Sequence, residues 1–190
     1  MNARQAAFYR QAESDWSVFQ HFHSSELRWW EKMQQVWCGL AGVRRVSFPV
    51  CHELHYLQMC TEKLAKAYFR TNPPKGHEAF RSFHRDLLLN PKCLASLGFA
   101  STSDLTRWQG SVKPIVDAIE DLAPSIADRK KLPNPEYPWP KSNPIIAPVD
   151  HSFTPDIFTH LTTQACSGEP PFLTILGRMV DTMQSAGWHL

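Results

Sequence analysis

From Pro49 to Arg70 the chain reads "PVCHELHYLQMCTEKLAKAYFR", and its apolar residues recur at the helical period. At 100° per residue, Val50, Leu54, Leu57, Thr61, Leu64 and Tyr68 fall on one side. A stripe of that length requires a helix of about five turns that buries one face against other elements. The proline suits the first turn, where its missing N–H is not needed. On the opposite side stand His52, His55, Gln58, Met59, Glu62, Lys63, Lys66 and Arg70, which the same geometry places outward.

Most of the remaining chain follows the same period. Residues 3–23 carry Phe8, Ala12, Trp16, Phe19 and Phe22 on one stripe, with Asp15 beside it. "HEAFRSFHRDLLLN" (77–90) predicts a third helix bearing Phe80, Phe83, Leu87 and Leu88. Asn90-Pro91 is a cap signal for a short turn ending near Gly98, and Ser101–Ser103 opens a fourth region. There the clearest run is "VKPIVDAIEDLAPSIA", kinked or restarted at Pro124. Seven of the 15 prolines lie between 133 and 155. That density excludes helix and favours an extended strap, which Tyr137 and Trp139 are expected to fix onto the bundle. Two further helices follow, from Thr154-Pro155 and from Pro170-Pro171 to Gly187. The expected fold is therefore all-α. Its parts are a bundle over 1–129, a Pro-rich strap over 130–153 and two extra helices over 154–190 in the same domain.

Composition narrows the function classes. A chain of 190 residues is long enough to bury one real core. The net charge of +2 does not by itself argue for nucleic acid or an anionic membrane. No run approaches the ~20 apolar residues of a membrane helix, and the start lacks the apolar core of a signal peptide. The five cysteines form no C-x-x-C pair and are odd in number, which fits free, buried thiols in a cytoplasmic protein.

The stretch beginning at His52 also comes one residue short of the zinc helix H-E-x-x-H. His52 and His55 are three apart, a spacing a helix can still use, but they lie off the inward stripe that a bundle-core metal would need. No cofactor is expected. His52 and His55, joined by His77 or His84, are the ligands of a third-ranked metal reading.

"LHYLQMCTEKLAKAYF" resembles the second core helix of HEPN domains, small helical bundles widespread in prokaryotes. "YRQAESDWSVFQHF" is similar to that family's first helix and "GHEAFRSFHRDLLL" to the helix that follows; together the resemblance spans roughly residues 3–125. It implies an up-and-down bundle of four to five helices, often a homodimer. Active members are metal-independent endoribonucleases whose arginine and histidine are separated by four to six intervening residues in or beside the last core helix. The cation stabilises the phosphorane and the imidazole serves as acid or base. Arg70-TNPPKG-His77 and Arg45-VSFPVC-His52 have the spacing, but with 11 arginines and nine histidines about one or two such pairs arise by chance. Both cross prolines. The matching region, 108–125, contains neither arginine nor histidine.

The leading expectation is thus a HEPN-like binding or accessory protein with no catalytic residues. Glu62, Lys66, Arg70 and His77 are its candidate site for a nucleotide, RNA or partner protein. An endoribonuclease using Arg70 and His77 is the alternative.

Overall fold

Asn2 and Gln5 start the first helix reciprocally. Asn2 Oδ1 accepts from the Gln5 N–H and Gln5 Oε1 accepts from the Asn2 N–H, each at 2.9 Å. Gln5 Nε2 then donates to the Ala67 carbonyl at 3.0 Å, near the end of the next helix in the chain. At the other end of the first helix, His23 Nδ1 pairs with Glu53 Oε1 in the opening turn of that next helix. The start of one therefore meets the end of the other, and the two run antiparallel.

These are α1 (Ala3–His23) and α2 (Val50–Tyr68) in a computed structural model, which describes residues 1–23, 50–69, 79–130 and 169–186. It also describes residues 132–133, 135–136, 139–140, 145–148, 151, 153, 161 and 188. The other described helices are α3 (Phe80–Asp86), α4 (Pro91–Leu97), α5 (Thr102–Asp121), α6 (Pro124–Lys130) and α7 (Phe172–Ala186). The fold is an all-α helical bundle.

Local chemistry sets the boundaries. Asn90 Oδ1 accepts from the Lys92 N–H at 3.1 Å, Pro91 occupies the first turn of α4, and Gly98 ends that helix at φ 80°. A side chain at Gly98 would be strained, and its Cβ would lie 2.6 Å from Arg178 Nη1. That guanidinium donates to the Leu97 carbonyl at 2.7 Å, so α7 closes the end of α4. Ser101 caps α5 through the Asp104 N–H at 3.2 Å, which starts the helix at Thr102, ten residues before the run that was clearest in sequence, which begins at Val112. Pro114 sits inside α5 on its exposed side, as does Gly110, whose carbonyl loses the usual partner. The helix stops at Asp121 and restarts at Pro124, as expected. The third helix is shorter than expected: after Asp86 the chain tightens into the 3₁₀ turn Leu87–Leu89.

The core gathers Phe19, Leu57, Leu64, Tyr68, Phe83 and Trp108, all about 1% exposed or less. Each such side chain contributes on the order of 1.5–3 kcal/mol when fully buried. Four of the five other members of the predicted α2 stripe are likewise buried with Tyr68, whereas Val50 is 42% exposed. Helix α7 crosses α1 closely at Gly177, where a Cβ would approach Trp16 to 3.3 Å. Tyr9 fixes that crossing by donating to the Val180 carbonyl at 2.6 Å.

Within the strap, Trp139–Pro140 pairs antiparallel with Ile145–Ile146, Trp139 opposite Ile146. The extended backbone agrees with the proline pattern, though it is paired as a short ladder. Pro135 is buried, and Phe153 closes a small cluster with Cys51, Leu54 and Leu122. Tyr137, the Trp139 side chain, and the helix expected from Thr154 (apart from Leu161) lie outside the described residues.

Candidate functional site

Helix α2 is central, touching α1 on one side and α3 and α5 on the other. The side read in sequence as outward is therefore partly covered by α1. Glu62 is 2% exposed and Gln58 3%, which corrects the expectation that both face solvent. His52 is exposed as expected, and His55 is half-buried.

Burying Glu62 requires compensation, because an ionised carboxylate removed from water needs an ion pair and hydrogen bonds. Lys66 supplies a bond to Oε1 at 2.6 Å, one helical turn away, and Lys63 a second at 3.1 Å. Gln58 Nε2 donates to Oε2 at 3.2 Å. The Lys66 ammonium also lies 5.8 Å from the centre of the Phe8 ring on α1, with the Arg4 guanidinium 5.7 Å from the same ring. Two members of the predicted ligand site, Glu62 and Lys66, are thus brought together as a partly desolvated ion pair. Arg70 and His77 lie outside the described residues.

His55 Nδ1 stands 4.0 Å from Glu136 Oε2 of the strap. Burial pulls the imidazole below its ordinary pKa, opposed by the charges of Glu136 and Asp15. Among the described residues, no three His, Cys, Asp or Glu side chains are placed to hold a metal ion. His84 occupies α3 with its ring 6.0 Å from that of Trp108 on α5. It is 8% exposed, and its Nε2 has no hydrogen-bond partner among the described residues. Cys51, Cys60 and Cys93 are free and buried; burial raises all three thiols, Cys93 to about 12, so they are unreactive at neutral pH.

A second polar group was not anticipated. Arg81 of α3 bonds Asp117 Oδ1 and Asp121 Oδ1, each at 2.7 Å, and stands 3.6 Å from Glu120 Oε1. The Arg81 N–H donates to Glu120 Oε2 at 2.5 Å, so one carboxylate also satisfies the first turn of α3. Lys113 and Lys130 complete the network, at 2.6 Å from Asp117 and 2.8 Å from Asp121. Partial burial raises both aspartates, but the hydrogen bonds and charges of these cations outweigh it and hold them below the usual carboxylate range. The i, i+3, i+4 spacing of Asp117, Glu120 and Asp121 was the available signal for a shared face. A third pair, Arg107 with Glu169, joins α5 to the segment entering α7, where Trp108 Nε1 donates to the Pro170 carbonyl at 3.1 Å.

No protein-family model, curated protein or solved structure matches the chain. Among the described residues, no helix is long and apolar enough to cross a membrane.

Proposed function

We propose that the chain is a HEPN-like helical bundle that works as a non-catalytic binding or accessory module. The observation that carries this reading is the charge on the second half of α5, where the resemblance implies an arginine and a histidine. That segment instead bears Asp117, Glu120 and Asp121, already engaged with Arg81, Lys113 and Lys130. Three carboxylates repel a phosphodiester, and the cations near them are neutralised. The antiparallel α1–α2 pair supports the resemblance, and Asp15 stands beside the core stripe as the family's first helix implies.

The α2 face carries little uncompensated positive charge, since Lys63 and Lys66 both serve Glu62. RNA affinity through Lys66 and Arg70 is therefore expected to be weak and to fall as salt rises. Fluorescence anisotropy of a labelled single-stranded RNA measures this, with Lys66→Ala/Arg70→Ala binding less. Complete absence of binding at the lowest salt would remove RNA from the reading and leave a partner protein or second copy as the ligand. Tight binding insensitive to salt would contradict the assignment of this face.

A further inference from the structure

Helices α1 and α2 each bring a buried carboxylate to their shared seam, and the donors there are divided unequally. Glu62 receives Lys66, Lys63 and Gln58. Asp15, 5% exposed, receives one neutral donor: Gln11 Nε2, a turn earlier on α1, reaches its Oδ1 at 2.9 Å. Its Oδ2 is buried and has no hydrogen-bond partner among the described residues. An ionised carboxylate held this way keeps the cost of leaving water without the ion pair that would offset it. A protonated carboxyl avoids that cost.

From this division of donors we propose that Asp15 is a proton switch in the α1–α2 seam. Protonated, it lets α1 pack tightly on α2; ionised, it leaves a charge in the interface and loosens the pair. The titratable groups acting on it from α2 are His55, Glu62 and Lys63, with the Cys60 thiol feeling its charge in return. The charged residues of α7, which also packs on α1, are engaged elsewhere: Arg178 bonds the Leu97 carbonyl and Asp181 acts on Tyr9. Burial is the largest influence and pushes the Asp15 carboxyl above its usual range. The Gln11 hydrogen bond, Lys63 and His55 oppose this, and Glu62 adds to it. Because the folded-state pKa is the higher one, the stabilising contribution is present below the ordinary value of 3.8 and is lost as pH rises through the raised value. Phe8 and Arg4 ride on α1 against Lys66, so the switch also sets how that face is held.

The test uses the full chain and the isosteric Asp15→Asn substitution. Carbon-13 NMR of the native protein is expected to show the Asp15 carboxyl titrating above the ordinary aspartate range. At pH 7 the variant is expected to melt about 2–4 °C higher, with slower amide hydrogen exchange along α1. A carboxyl that titrates at or below the ordinary range overturns the proposal without any variant. So does an Asp15→Asn protein that melts lower than the native chain at pH 7, since the ionised group would then be stabilising the seam.

Discussion

Replacing both Lys63 and Lys66 by methionine is expected to destabilise the protein by about 3–5 kcal/mol, the range for a buried charge stripped of its partners. Glu62 would remain 2% exposed, without either ammonium group and with the Gln58 hydrogen bond kept. The lysine side chains are themselves 16% exposed, so solvent screening is limited. Lys66→Met alone is expected to do less, because Lys63 still reaches the same oxygen. Adding Glu62→Met to the double variant is expected to recover most of the loss, since an apolar replacement of a whole buried ion pair is often neutral. Urea unfolding of the four proteins measures each step. A double variant within about 1 kcal/mol of the native chain would place these residues with ordinary surface ion pairs, as the sequence alone had suggested.

Acid is expected to act through His84. Burial depresses its imidazole from 6.5 to about 4, with the charge of Asp117 opposing and that of Lys113 assisting. As pH falls below 6.5 the unfolded chain takes up the proton first, and the folded state loses stability until the folded value is reached. Between pH 7 and pH 4 this one group is expected to remove about 3 kcal/mol. His84→Leu keeps an apolar side chain against Trp108 and removes the titration. The native chain is therefore expected to lose that much stability relative to the variant across the window. Parallel pH profiles would show that the imidazole already finds a partner for its charge. Asp15 changes stability in the opposite direction with pH, so each histidine comparison is made on an otherwise unchanged chain.

His84 was legible in part. Phe80, Phe83 and Leu87 form the stripe that defines α3, and position 84 falls between them at the i+4 spacing. A polar residue on an apolar stripe is the ordinary sign of a buried histidine. The helix caps were read correctly because Asn90-Pro91, Gly98 and Ser101 act on their own neighbours, within three or four residues. Apart from the exposed Val50, the stripe of α2 was read correctly for the same reason, since a period of 3.6 is a local property.

Glu62 shows where that reasoning stops. Periodicity identifies the most apolar face of a helix, but it does not reveal how many neighbours the helix will have. Helix α2 lies between α1 and the α3–α5 side, so a second face is buried although it carries Gln58, Glu62 and two lysines. The pairing Glu62–Lys66 at i, i+4 was visible, but whether it was solvated depended on α1, which ends 39 residues before Glu62 in the chain. The Arg81 network was hidden in the same way. Its carboxylates share a face of α5, while its guanidinium comes from α3, some 36–40 residues away.

Cleavage of RNA is the most direct test of the central claim, that this bundle binds without catalysing. Labelled single-stranded and hairpin RNAs are incubated with the full chain in a chelating buffer, beside Arg70→Ala, His77→Ala and the double variant. The native protein is expected to leave both RNAs as intact as the double variant does. Metal-independent cleavage that disappears with either single substitution would contradict it and make Arg70 and His77 a catalytic pair.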